Sequence, residues 1–219
     1  MPSSILRTLL IFSSIIVLGI LSGFCLGCRP ALQSHFDVSK WRGEVLESGQ
    51  TVEFQKVAAP GVILNVYSPT CVPCIAELPA LHVLEAEARR QGLEMYMVAD
   101  ARPESHGLEI GDATPAEARA ALRARLNADV KKYDIRIPLV IMDDTFRVEP
   151  RQGLVSGTPE TMLFRTEPFT LAYNFVGPVA AVEAVEELAQ DTRFQFVLKR
   201  VTALATVGGG DLKSEPAYQ

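Results

Sequence analysis

The stretch VILNVYSPTCVPCIAELPALHVLEAEARRQG, Val62 to Gly92, decides how this chain folds. Val62 to Tyr67 is a compact β-branched and aromatic run of the kind found in fully buried strands. Ser-Pro-Thr follows, then Cys71-Val72-Pro73-Cys74, and Ile75 to Gln91 reads as a helix. Leu78, Leu81 and Leu84 or Glu85 recur at helical spacing, Pro79 is expected to kink the helix, and Gly92 supplies the stop. Leu93 to Ala99 is the next strand, so the stretch opens a β-α-β unit with parallel strands and a right-handed crossover.

A cysteine at a helix start faces backbone N–H groups that no helical carbonyl satisfies, together with the positive end of the helix dipole. Both favour thiolate over thiol and lower a cysteine pKa from about 8.5 towards 7 or below. Cys71 is therefore the expected nucleophile. Cys74, one turn further on, lies within disulfide reach and attacks the mixed disulfide to release a partner. Pro73 stiffens the first turn, where its missing N–H costs nothing. A zinc site would need a second ligand pair, and His35, His82 and His106 are scattered without ligand spacing, so no metal is implied. A purely structural disulfide would close a loop too short to stabilise much.

The flanks extend the pattern outward. Glu44 to Val57 carries two short alternating runs around Ser48-Gly49, a hairpin signal. Thr114-Pro115-Ala116-Glu117 is a capping box opening a helix to about Tyr133. Ile137 to Met142 is a third core strand. Met162 to Arg165 and Ala172 to Val176 read as a strand pair joined near Glu167-Pro168. Val179 to about Leu204 reads as helix, broken near Asp191-Thr192. The organisation expected is an export or anchor segment over 1–28, a tether over 29–42, one domain over 43–205 and a disordered tail over 206–219.

At the amino terminus, Leu9 to Leu26 runs 18 residues without a charge. That run explains a positive mean hydropathy of +0.16 in a chain with 21% charged residues. Its length stands between a secretory core and a short membrane span, and both readings send the rest of the chain across a membrane. Leu26-Gly27-Cys28 resembles the end of a bacterial lipobox, with Cys28 as the lipidated residue, although Cys25 stands where leucine is usual. Lipidation, an uncleaved anchor and cleavage to a soluble product all stay open. The Cys25/Cys28 spacing is not read as a redox or metal site, because a removed or embedded segment holds no aqueous chemistry. Export also sets the redox compartment, in which Cys71 and Cys74 cycle between dithiol and disulfide. A net charge of -5 over 219 residues excludes a dedicated nucleic-acid binder.

NVYSPTCVPCIAELPAL, Asn65 to Leu81, resembles the active-site segment of the TlpA/ResA/DsbE family, membrane-tethered thioredoxin-like thiol-disulfide oxidoreductases of bacteria. Tyr133 to Asp143 resembles that family's proline-containing core strand, and Ser156-Gly157-Thr158-Pro159-Glu160-Thr161 its G-(T/V)-P loop. The resemblance covers about Gly43 to Leu188. It implies a thioredoxin-like α/β fold, a mixed sheet flanked by helices, with an amino-terminal β-hairpin extension. It implies that Pro159 is the cis-proline beside the disulfide and that the backbone of Thr158 pairs with an extended piece of the partner. It also assigns Glu77, on the same helix face as Cys74, to proton exchange with the cysteine pair. Asn65 stands where cytoplasmic thioredoxins carry a buried aspartate, and an amide takes up no proton.

The partners implied are protein dithiols or disulfides and a membrane redox donor, with a monomer held at the envelope by its amino terminus and no cofactor. Cytochrome c maturation is the commonest role among the proteins resembled. Two departures stand out: Thr70 replaces the aromatic usual before the first cysteine, and Arg102 to Asp112 is a longer polar insertion. A peroxiredoxin would need proline and threonine where Leu64 and Ser68 stand, and a copper-delivery module would need wider cysteine spacing and a histidine ligand. A non-catalytic interaction protein on the same fold is the remaining alternative.

Overall fold

In a computed structural model, residues 38–144, 146 and 155–206 are described. Cys28, the apolar run before it and the tail beyond Thr206 lie outside those residues. The strands are β1 (Arg42–Val45), β2 (Thr51–Glu53), β3 (Gly61–Val66), β4 (Glu94–Ala99), β5 (Leu139–Met142), β6 (Glu160–Thr166) and β7 (Phe169–Val176). The helices are α1 (Val72–Ala76), α2 (Leu78–Arg90), α3 (Pro115–Lys132) and α4 (Thr192–Thr206). All seven strands join one sheet in the order β2-β1-β5-β4-β3-β6-β7. β3, β4 and β5 are parallel neighbours, while β6, β7 and the β1–β2 hairpin run antiparallel to the strands they join. With the hairpin set aside, β3 is the middle of the five remaining strands and the cysteine-bearing helix follows it; that arrangement is thioredoxin-like, and the hairpin is its amino-terminal addition.

Alternation along β3 divides the interior in two. Ile63 joins Leu81, Leu84, Leu122, Leu126, Phe194 and Val201 under the helices. Val62, Leu64 and Val66 face the other side, which is closed by loops and turns rather than by helices. Phe54, Phe146 and Phe164 are buried there, and Trp41 packs edge-on to Phe146 with ring centroids 5.5 Å apart. Val38–Lys40 forms a 3-10 turn whose Val38 packs against the same cluster, so the fold includes residues ahead of Gly43.

Gly43 lies in the antiparallel ladder between β1 and β5, opposite Met142. An added Cβ would lie 2.5 Å from the Ile141 carbonyl oxygen and 2.6 Å from Val140 Cγ1. Backbone gives way less readily than a side-chain tip, so Gly43→Ala is expected to lower unfolding stability by about 1–3 kcal/mol, read from urea midpoints. An unchanged midpoint would show that the hairpin docks loosely.

One helical expectation is sharpened and one changes. The kink expected at Pro79 is a full break: the helix from Ile75 to Gln91 is split at Glu77, because Pro79 lacks an N–H and its ring crowds the carbonyl of Ile75. The stretch from Val179 to Asp191 is largely irregular, with one 3-10 turn at Val185–Glu187. There the Asp191 carboxylate accepts the N–H groups of Ala181 and Val182 at 2.7 and 3.1 Å, and it also accepts Phe194 N–H at the head of α4. Those amides are satisfied by a side chain, so a helix upstream is not required to satisfy them. The capping box forms: Thr114 Oγ1 accepts Glu117 N–H, and the Glu117 carboxylate accepts Thr114 N–H at 2.8 Å.

Candidate functional site

β3 runs straight into the site. Tyr67 extends its pairing by donating N–H to Val98 O at 2.9 Å, and Ser68-Pro69-Thr70 then turns the chain so that Cys71 N–H meets Ser68 O at 3.0 Å. Cys71 caps α1. Its Sγ accepts Cys74 N–H at 3.1 Å, and its carbonyl accepts Cys74 and Ile75 N–H. A thiolate at Cys71 would keep that N–H bond, the local reason for a stabilised anion. Cys71 and Cys74 are joined as a disulfide with Cα atoms 5.3 Å apart. Cys71 is 7% exposed and Cys74 fully buried, so an incoming sulfur reaches Cys71 first. Val72, at 74% exposure, forms an apolar knob beside it.

Glu77 stands at the break between α1 and α2 and is buried. Its Oε2 accepts Val179 N–H at 2.8 Å and its Oε1 accepts the side-chain NH2 of Asn65 at 3.1 Å. Burial pushes its carboxyl up to about 7, against the pull of the Val179 N–H, the Asn65 amide and the Arg193 charge. A carboxyl that titrates near neutrality in this position is suited to taking and returning a proton.

Thr158–Pro159 is a cis peptide, and Pro159 O accepts Gly177 N–H at 2.9 Å. Thr158 is exposed and Pro159 buried. The loop before them is held by Glu160. This buried carboxylate accepts Ser156 N–H at 2.7 Å and Gly157 N–H at 3.3 Å, and it also takes the Asn174 amide from β7. Glu160 was not singled out from sequence, although a carboxylate leading an apolar strand was the available sign.

Between the Thr158 loop and the turn before Cys71 lies a cavity of about 280 Å³ lined by Val66, Ser68, Thr70, His106, Gly157 and Thr158, among others. The polar insertion forms its far wall. Pro103–His106 makes a 3-10 turn, and Gly107, in the left-handed region at φ 69°, lies so close to Thr70 that a Cβ would come within 2.8 Å of Thr70 Cγ2. His106 is buried. Its Nε2 lies 2.8 Å from Asp100 O and therefore carries the proton, and its Nδ1 lies 3.3 Å from Ser68 Oγ, whose hydroxyl donates to Ser105 O at 3.1 Å. Burial holds the imidazole below its ordinary range, so it is neutral at pH 7. The Asp100 carboxylate meanwhile accepts Arg102 N–H and Phe146 N–H, both at 2.7 Å. The insertion thus takes up the space beside Thr70 where an aromatic was expected. A lone histidine in a polar stretch carries no sequence signal of that placement.

Beneath the site, Tyr67 O–H donates to Asp129 at 2.9 Å, and burial with that bond pushes the phenol upward, so it stays protonated. A larger groove of about 860 Å³ runs along α2 beside Ile75, Leu78, Tyr133 and Leu198, but it is lined by neither cysteine. Among the described residues no group of three or more side chains is arranged to hold a metal ion, and no helix is long and apolar enough to cross a membrane.

No family model matches the chain. Over 56 residues it is 34% identical to the thiol-disulfide oxidoreductase ResA of Halalkalibacterium halodurans, a match covering 26% of this chain and about a third (32%) of ResA. Among solved structures, a secreted Mycobacterium tuberculosis disulfide oxidoreductase homologous to E. coli DsbE is similar at 14% identity. That match covers 77% of this chain and 96% of the other, with a TM-score of 0.45. A thiol:disulfide interchange protein of the thioredoxin family from Chlorobium tepidum is similar at 15% identity, 75% and 91% coverage and a TM-score of 0.46. StoA from Bacillus subtilis is similar at 14% identity, 63% and 87% coverage and a TM-score of 0.40. The strand order and the position of the cysteines, rather than these distant likenesses, carry the fold assignment. With its cysteine pair at the head of the helix that follows β3 in a mixed sheet, the chain has a thioredoxin-like fold, and over 56 residues its sequence is similar to that of ResA.

Proposed function

We propose that this protein is a thiol-disulfide oxidoreductase that exchanges disulfides with protein partners. The observation that carries the reading is the Cys71–Cys74 disulfide, one sulfur at the surface and the other buried, one residue beyond Thr70, which lines a cavity together with Thr158.

In the reducing direction, the Cys71 thiolate attacks one sulfur of a partner disulfide. A mixed disulfide forms, and the second partner sulfur leaves as a thiolate that takes a proton from water. The Cys74 thiol then yields its proton to the Glu77 carboxylate, and its sulfur attacks Cys71 Sγ. The Cys71–Cys74 disulfide closes, the first partner sulfur leaves, and two electrons have passed to the partner. Glu77 returns the proton to that leaving thiolate or to solvent. Oxidation of a partner dithiol runs the same steps backwards. Neutral hydrogen bonding at the Thr158 backbone lets an extended partner segment lie beside Pro159 as an added strand.

The apolar run Leu9 to Leu26 and Cys28 support a tether at the outer face of a bacterial membrane, where disulfides persist and a membrane redox donor recharges the pair. Cytochrome c maturation is the role that fits a tethered reductant of this kind. The test is Cys74→Ser, which removes the resolving thiol. Cells expressing it are expected to accumulate a mixed disulfide through Cys71, visible as a dithiothreitol-sensitive band whose partner is read by mass spectrometry. Failure to trap any protein would count against protein substrates, and partners without haem-binding segments would count against cytochrome maturation.

A further inference from the structure

Asn65 has a buried carbonyl oxygen, Oδ1, with no hydrogen-bond partner among the described residues, beside a carboxylate that the exchange reaction protonates. The amide uses both of its N–H groups, one to Glu77 Oε1 at 3.1 Å and one to Thr161 Oγ1 at 3.0 Å. An unpaired buried carbonyl is costly and calls for a reason.

The hydrogen-bond inventory supplies one. Glu77 Oε2 must remain an acceptor, because Val179 N–H points at it from 2.8 Å. A proton arriving at Glu77 therefore sits on Oε1, the oxygen facing Asn65. There it would meet the Asn65 NH2, a donor against a donor. If the amide turns over about its terminal bond, Oδ1 takes the place of the NH2 and accepts the new Oε1–H. Thr161 is neutral and its hydroxyl both donates and accepts, so it turns too and donates to the same oxygen. Two hydrogen bonds are kept in each state, and the cost of the orphan moves from the carbonyl to the NH2. An aspartate at position 65 would compete for the proton, and an apolar residue would leave the acid without an acceptor.

We propose that Asn65 is the positioning residue for Glu77, turning its amide to offer N–H to the carboxylate and C=O to the carboxylic acid. The inference rests on the reading of Glu77 as the proton acceptor of the exchange. The charged group acting on Glu77 is Arg193 on α4, whose guanidinium also holds Val176 O at 2.7 Å. From β3 and β6 the facing groups are the neutral Asn65 and Thr161, and on its own helical stretch Cys74 precedes it by one turn.

The chain has three asparagines, Asn65, Asn127 and Asn174, so asparagine-selective 15N labelling of the full, reduced chain in detergent gives three side-chain NH2 pairs. Absence of one pair in Asn65→Leu assigns it. The Asn65 pair is expected to shift with pH over the same range as the Glu77 carboxyl carbon. Glu77→Gln is expected to hold it at the acid-form position at every pH, because the glutamine must give its oxygen to Val179 N–H and its NH2 to Asn65. An Asn65 pair that stays still while Glu77 titrates overturns the proposal and leaves disulfide exchange standing. If a variant does not fold, the wild-type titration alone decides, with the pair that moves or none moving being the answer. Failure of the exchange reading would show separately, as activity that survives loss of Cys71.

Discussion

Cys71→Ser is expected to lower disulfide reduction by at least about three orders of magnitude while leaving the fold intact. The size follows from the attack order. Cys71 is the sulfur with exposed surface and Cys74 is fully buried, so Cys74 cannot stand in for its neighbour. Serine keeps the cap, since a hydroxyl oxygen accepts the Cys74 N–H as sulfur does at 3.1 Å. Its oxygen stays protonated near neutral pH and forms no disulfide. Insulin reduction by the variant, set beside its circular dichroism and urea midpoint, checks both halves. Retained reduction would sink the oxidoreductase reading and favour the non-catalytic interaction protein, for which the cysteines are incidental.

The second large effect is a change of pH dependence in Glu77→Gln. The Glu77 carboxyl is raised from an ordinary 4.5 to about 7, chiefly by burial. A carboxyl raised by folding holds its proton longer in the folded state, so the native chain binds more protons than the unfolded one between those values. Stability is then greatest below about 4.5, falls as pH rises through the window, and levels off above about 7. The loss across the window amounts to about 3 kcal/mol. Glutamine carries no charge at either end, so this slope is expected to vanish. Urea midpoints at pH 5 and pH 8 measure it, and the variant should gain on the wild type at pH 8. The same change removes the proposed proton acceptor, and exchange at neutral pH is expected to fall about 10²-fold with loss of the pH limb near 7. Equal slopes in the two proteins would show that Glu77 is not the group titrating.

Local pattern made much of this legible. The buried run at Val62, the helix stop at Gly92 and the capping box at Thr114 depend on neighbours a few residues away, and the sheet and its hairpin follow from them. What sequence missed depends on contacts between distant segments. Asp191 draws in the amides of Ala181 and Val182, and a helical pattern there yields to an irregular strap. His106 enters the site wall because Gly107 lies against Thr70, a meeting that no periodicity announces. At position 65 the reverse held. The residue was noted as an amide that takes no proton, and its partners Glu77 and Thr161 came to it only through the pairing of β3 with β6.

That pairing matters to the order of events in folding. Asn65 lies opposite Thr161, and Gly43 opposite Met142, so both the site and the loop-covered side of the sheet are closed by chain made about a hundred residues later. Contacts so distant in sequence form slowly and late. While the chain emerges residue by residue, Cys71 and Cys74 are present long before the Thr158 loop, and β3 waits with an open edge until β6 docks. A chain that closes itself only at its last third stays unfolded for most of its emergence, the state in which a polypeptide can be threaded through a translocation pore.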